Sequence, residues 1–213
     1  SRRLPSPVST HLVISFNAKS QFWGYSTPQK LKGTVNTIEA EESMPVLSKD
    51  SSIMYFTRTF DQRNSGGIND QDIWISKRDE NNEYINDKLL IGLNNKFNNA
   101  VIGTGGDGNT LYLLDSYKGG KDLEKGISVS KFENGIWTDP VRIMIPNLDI
   151  EGSFYGFYIN ESANVIIISL NSPLGLGQED LFVTVKSNSG WSVPEHMGNQ
   201  INSPGYEISP FLS

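Results

Sequence analysis

The chain has no cysteine, so it has neither a disulfide framework nor a thiolate metal site, and redox chemistry does not reveal its compartment. Histidine is nearly as scarce, with His11 and His196 in unrelated positions. Two histidines cannot build a three-histidine zinc centre. Neither H-E-x-x-H nor G-x-S-x-G occurs, so no metal centre and no Ser-His-Asp hydrolase is expected. Apolar runs are short, as in Ile53-Met-Tyr-Phe56 and Val165-Ile-Ile-Ile168, far below the roughly 20 residues of a spanning helix. The opening Ser1-Arg-Arg-Leu-Pro-Ser-Pro7 lacks the apolar core of a signal peptide. Basic clusters are missing too: 18 Lys and Arg stand against 24 Asp and Glu, for a net charge of −6. That balance argues against nucleic acid and anionic membrane as partners.

What the chain does have is a long period. The stretch Pro45-Val-Leu-Ser-Lys-Asp-Ser-Ser-Ile-Met-Tyr-Phe56 returns in weaker form at Ile102–Leu114 and Gly156–Ile168, and Pro210-Phe-Leu-Ser213 echoes its opening. Acidic turn residues Asp50, Asp107 and Glu161 are 57 and 54 apart. Apolar positions Ile73, Ile127 and Leu181 are 54 and 54 apart. Aromatic positions Tyr25, Tyr84, Trp137 and Trp191 follow at 59, 53 and 54, with Pro28, Pro140 and Pro194 three residues after three of them. Such a period marks a repeat architecture.

Within a unit the alternation is that of strands, with no useful 3.6-residue pattern. The second strand of each unit is apolar on both faces, as a strand covered from both sides requires. The third alternates, most cleanly in Ile127-Ser-Val-Ser130. The fourth carries an aromatic residue and then Pro, which lacks a ladder donor and belongs at an edge. Four antiparallel strands per unit, with a buried inner strand and a proline-marked rim, describe an all-β fold: a β-propeller of four-stranded antiparallel blades. Three complete blades are expected at 41–97, 98–149 and 150–204, with a partial blade at 1–40 and the start of another at 205–213. Tyr55, Tyr112 and Ile166 are expected at equivalent places in successive sheets. Because an open arc exposes apolar faces, either the two ends pair to close a four-bladed ring with a deficient blade or the chain belongs to a larger propeller with further blades or domains, and the second is expected because the sequence stops in mid-motif.

The combination of Pro45-x-Leu-Ser-x-Asp-x-x-x-x-Tyr-Phe56, Gly66-Gly67 leading to Asp72-Ile-Trp74, aromatic-x-x-Pro, and Asn-Thr/Ser with Glu before the next Pro resembles the WD40-like, TolB-type propeller repeat. It is most similar to the form found in OmpA-associated cell-envelope proteins of Bacteroidetes-like bacteria. The second unit departs from it: Asp122-Leu-Glu-Lys-Gly126 replaces the Asp before the third strand, and Asn98-Asn99 stands where Glu41-Glu42 and Glu207 stand elsewhere. The resemblance implies a periplasmic or outer-membrane-associated scaffold that binds protein or envelope glycan without cofactor, metal or chemistry of its own.

Several conspicuous features read as ordinary structure. Gly103-Thr-Gly-Gly-Asp-Gly108 matches G-x-G-x-x-G, yet a strand follows it where a dinucleotide site needs a helix, so it reads as a turn. Asp50, Asp107, Asp72 and Asp180 suit hydrogen bonds to backbone amides of their own turns. Asn69, Asp70 and Asp72 offer clustered oxygens without the spacing of an EF-hand. Trp74, Trp137 and Trp191 suit packing between blades. Glu42, Glu151 and Glu207, which lead into the first strands, would lie near one mouth of a propeller channel. These are the binding candidates. Converging carboxylates also suit a carbohydrate-active propeller, the alternative from a different class.

Overall fold

The computed structural model describes residues 27–118 and 122–212, so the early strand expected at Leu12–Phe16 and the landmark Tyr25 lie outside the described residues. Two compact units divide the chain, Ser1–Lys30 and Leu31–Ser213, and every described strand belongs to the second. The fold is all-β, with no helix among the described residues. The first sheet orders β1 (Glu41–Leu47), β2 (Ile53–Thr59), β3 (Asp72–Arg78) and β4 (Tyr84–Leu89) side by side. The second holds β5 (Val101–Thr104), β6 (Thr110–Lys118), β7 (Asp122–Glu133) and β8 (Ile136–Trp137), with β9 (Val141–Arg142) also on β7. The third repeats that plan with β10 (Tyr155–Ile159), β11 (Val165–Asn171), β12 (Glu179–Ser187), β13 (Gly190–Trp191) and β14 (Glu195–His196). All pairings within the sheets are antiparallel.

Proline decides how the fourth strand is built. Pro140 separates β8 from β9 and Pro194 separates β13 from β14, because neither ring can donate to the neighbouring strand. The first sheet has Asp87 at that position, and β4 runs unbroken. At each break a hydroxyl takes over: Thr138 Oγ1 accepts the Lys131 N–H at 3.0 Å, and Ser192 Oγ accepts that of Val185 at 3.2 Å. A buried hydroxyl on the third strand stitches the other side. Ser76, Ser130 and Thr184 donate to the carbonyls of Ile85, Thr138 and Ser192 at 2.9, 2.7 and 2.7 Å.

The landmarks on strands three and four hold their register. Ile73, Ile127 and Leu181 stand opposite Thr57, Leu114 and Ser169, and Tyr84, Trp137 and Trp191 stand opposite Arg78, Phe132 and Lys186. The hairpin between the first two strands corrects one expectation. The loops close from Ser48 N–H to Ile53, from Gly105 to Thr110 and from Asn160 to Val165. Asp50 and Asp107 occupy the third place of their loops, but in the last loop that place belongs to Ser162, and Glu161 is second. Asn160 supplies the acceptor instead, taking the amides of Asn164 and Val165 at 3.0 Å each. The residue equivalent to Tyr55 and Tyr112 is therefore Ile167, not Ile166. In a strand such a slip reverses the face, and Ile166 indeed packs toward the second sheet, beside Ile102 and Phe157.

Successive sheets meet face to face. Tyr55 and Ile73 of the first sheet share a core with Val101, Leu111 and Leu113 of the second. Ile102 and Ile127 of the second share one with Phe157, Ile159, Ile166 and Ile168 of the third. Each buried aliphatic side chain contributes about 1.5–3 kcal/mol. First strands lie next to first strands: Thr104 Oγ1 donates to the Leu47 carbonyl at 3.0 Å. A Cβ at Gly103 would lie 2.5 Å from Ile159 Cγ2, so only glycine allows β5 and β10 to approach this closely. The hairpin tips converge as well, with Lys49 Nζ 2.7 Å from Glu161 Oε1 and Gly106 beneath the pair.

Two polar devices recur in the first and third sheets. Asn94 accepts the Ile73 N–H at 2.8 Å and donates to the Ile73 carbonyl at 2.9 Å, and Asn202 treats Leu181 in the same way at 2.8 and 2.9 Å. Asp72, the first residue of β3, and Asp180, the second of β12, are fully buried. Asp72 accepts the Ser65 N–H at 2.6 Å, while Asp180 accepts those of Leu176 and Gly177. Each keeps a second carboxylate oxygen buried without a partner. Burial pushes the Asp72 carboxyl up to about 6, against the opposing pull of the Ser65 amide. The folded chain thus holds a proton that the unfolded chain releases near pH 4, and this group's contribution to stability falls as pH rises from about 4 to about 6. The stability of Asp72→Asn relative to wild type should therefore increase by about 1–3 kcal/mol between pH 4 and pH 7, measured by urea unfolding. A difference that does not vary with pH would overturn the assignment.

Candidate functional site

Strand one begins, strand two ends and strand three begins at the same end of each sheet, and the three candidate glutamates lie on segments at that end. Glu42 stands on β1 directly opposite Arg58 of β2. The Arg58 side chain is completely buried, yet each of its nitrogens is engaged. Nε donates to Glu42 at 3.1 Å, Nη1 to Asp87 at 2.8 Å, and Nη2 to the carbonyls of Val35 and Thr34 at 2.8 and 3.4 Å. The guanidinium centre lies 4.4 Å from the Trp74 ring and 5.2 Å from that of Phe56. Glu42 is held on its other side by the Thr37 hydroxyl at 2.8 Å and the Thr37 N–H at 3.3 Å. Turning it toward a ligand would strip a partner from a buried cation.

Glu207 has a similar duty. It accepts the Ser203 hydroxyl at 2.6 Å and the Ser203 N–H at 3.0 Å. Its backbone N–H donates to the Glu179 carbonyl at 2.7 Å, and its carbonyl accepts Ser169 Oγ at 2.6 Å. In the second sheet Asn99 does the same work: its side-chain oxygen accepts the Asn95 N–H at 2.8 Å and its backbone N–H donates to Gln71. The loop needs an oxygen at this place, with or without charge. That accounts for the exchange of Glu for Asn in the second unit.

Glu151 behaves differently. It lines a cavity of about 350 Å³ together with Gly152, Ser153, Phe154, Asn171 and Glu179. Glu179 was not singled out from the sequence, where it reads only as the start of a strand in Gly177-Gln-Glu-Asp180. Glu42, Glu151 and Glu207 share no side-chain partner among the described residues, and Glu207 reaches this cavity's lining only through its backbone.

Asp115 and Tyr155 tie the second and third sheets together nearby. A bulge in β6 and a φ of 62° turn Asp115 so that the Tyr155 hydroxyl donates to both carboxylate oxygens at 2.8 Å, with the Gly126 N–H at 3.0 Å. Burial pushes the Asp115 carboxyl up. Burial and the neighbouring carboxylate also push the Tyr155 phenol up, so it keeps its proton at neutral pH.

A second concavity, of about 690 Å³, opens between the first and second sheets. Ile53, Tyr55 and Ile75 form one wall, and the Phe132–Trp137 pair, with ring centroids 5.2 Å apart, forms the other. Ile91 and Ile136 are 86% and 68% exposed at its rim, where Lys77 and Lys88 supply positive charge.

No protein-family model matches this chain, and a search of curated proteins finds no matching relative. The geometry at Glu42 makes a direct prediction. Replacing Arg58 with Met strands Glu42 and Asp87 as uncompensated buried charges, and should cost about 3–5 kcal/mol in urea unfolding. A loss under about 1 kcal/mol would show that Glu42 is free for other work.

Proposed function

We propose that this chain is a portion of a β-propeller that serves as a non-enzymatic binding scaffold of the bacterial cell envelope, with protein or envelope polymer as its partner. The propeller reading is supported by sheets stacked in chain order, first strands side by side, and hairpin tips close enough for Lys49 and Glu161 to pair. The observation that carries the binding reading is the groove between the first two sheets. Its exposed apolar and aromatic side chains have no turn or capping duty, whereas Glu42 and Glu207 both do. Exposed apolar concavities of this kind mark interaction sites. The envelope location follows from the repeat's resemblance alone.

A carbohydrate-active propeller is the second reading, favoured by the two carboxylates, Glu151 and Glu179, that share one cavity. One experiment separates the two. The chain is incubated with isolated cell-envelope protein and, separately, with peptidoglycan fragments and neutral oligosaccharides, scoring retention and new reducing ends. The scaffold reading expects saturable retention that falls about tenfold or more in Trp137→Ala, as loss of a buried aromatic anchor does, with no glycan turnover. Turnover that disappears in Glu151→Gln would replace it with the enzyme reading.

A further inference from the structure

The cavity beside β10 contains a charge that the fold leaves unanswered. Glu179 is only 7% exposed, and no donor among the described residues reaches its carboxylate. Its neighbours in sequence and space answer to their own loops: Asp180 takes two backbone amides on one oxygen and keeps the other sealed and unpartnered, and Glu207 takes the Ser203 amide and hydroxyl. Lys125 donates to the carbonyls of Ile150 and of Gly152, which lines the cavity, and forms an ion pair with neither glutamate. Most of the Glu179 side chain is buried, but its carboxylate oxygens are not among the sealed unpartnered atoms and open to the cavity, where a cation can pair with them.

Register shows what faces that carboxylate. Asn171 of β11 stands directly opposite Glu179 of β12, and Phe154 lies one residue before Tyr155, whose partner is Leu170. Phe154, Asn171 and Glu179 therefore form a row across the end of the third sheet. Glu151 adds a second carboxylate, and the Phe154 ring is 76% exposed at the rim.

We infer that this cavity receives an arginine side chain from a protein partner. A guanidinium group presents five N–H donors in one plane, enough for a bidentate contact to Glu179 with further bonds to Glu151 and the Asn171 carbonyl oxygen. Its face can stack on Phe154, which an ammonium group does less well. A metal ion is less suited, because no group of three or more His, Cys, Asp or Glu able to hold one occurs among the described residues. A neutral sugar would leave Glu179 uncompensated. The chain's net charge of −6 favours a basic partner. The arginine's source in a protein rests on the binding-scaffold reading; the site's chemistry does not depend on the groove.

The test titrates the chain with acetyl-Gly-Arg-Gly-amide, with its lysine and citrulline counterparts, and with an N-acetylglucosamine tetramer, followed by amide chemical shifts. Saturable shifts around Asn171 and Glu179 are expected for the arginine peptide, weaker binding for lysine and none for citrulline. Glu179→Gln should weaken the arginine peptide by about tenfold or more, the loss of a charge-assisted pair. Phe154→Ala should weaken it about 2–5-fold. Glu133→Gln, an exposed carboxylate elsewhere, and Trp137→Ala, in the groove, should leave it unchanged, so that failure of the groove reading is seen separately. No saturable response to the arginine peptide, equal binding of citrulline, or saturable binding of the sugar alone would overturn the inference. If Glu179→Gln does not fold, the exposed substitutions Asn171→Leu and Phe154→Ala carry the test, and unchanged affinity in both would overturn it.

Discussion

Burial of each second strand from both sides is the constraint on which the rest of the molecule depends. In β2, Tyr55 faces the second sheet while Met54 and Phe56 join Trp74 on the opposite face. In β6, Leu111 and Leu113 face the first sheet while Tyr112 and Leu114 pack toward the third. No such strand is satisfied by its own sheet, so a single unit has no stable existence and neighbours must stack. Of the polar groups near these interfaces, Arg58 and Asp115 are bonded through each of their charged atoms, whereas Asp72 and Asp180 each keep one oxygen unpartnered. The fourth strand sits outside this requirement. It can be cut in two by Pro140 or Pro194, provided a hydroxyl receives the amide that the break releases.

This division explains what could be seen in the sequence. Positions fixed by inter-sheet packing and by strand pairing keep a constant interval, which is why Ile73, Ile127 and Leu181 were legible. Hairpin turns are closed by their own hydrogen bonds, which several side chains can supply, and the contact between tips is an exposed ion pair. Asn160 replaces the aspartate in the third loop, which let Glu161 pass for the turn acid and shifted the strand by one. The stitching hydroxyls Ser76, Ser130 and Thr184 keep the 54-residue interval as faithfully as the tryptophans do. They passed unnoticed because Ser and Thr are common in strands, and their burial is what distinguishes them.

The candidate site was legible only as a residue type. Glutamates near the first strands stood out, but a carboxylate's work is set by what surrounds it. Glu42 answers a buried guanidinium and Glu207 closes a loop. Arg58 could not be paired in advance, because Glu42 and Asp87 reach it from 16 and 29 residues away in opposite directions along the chain. Glu179 was hidden by its position at a strand start, where carboxylates usually cap a turn. Its neighbour Asp180 does cap one, which leaves Glu179 without that explanation.

The electrostatics also bear on binding against chemistry. General acid–base catalysis wants a group that titrates near the working pH and is open to substrate. Backbone and hydroxyl donors of Ser52 and Ser48 hold the exposed Asp50 down at about 2, which keeps it ionised at neutral pH. The phenols of Tyr117 and Tyr155 are pushed upward by burial and nearby carboxylates, which keeps them protonated. The group moved closest to neutrality, Asp72 at about 6, is the one sealed at the start of β3, where no substrate can reach it. Its shift is a by-product of closing the sheet interface. Among the described residues the groups perturbed toward neutral pH are thus confined to the interior, while the accessible concavities offer apolar surface, fixed charge and aromatic faces. Those are the materials from which the proposed binding surface would be built.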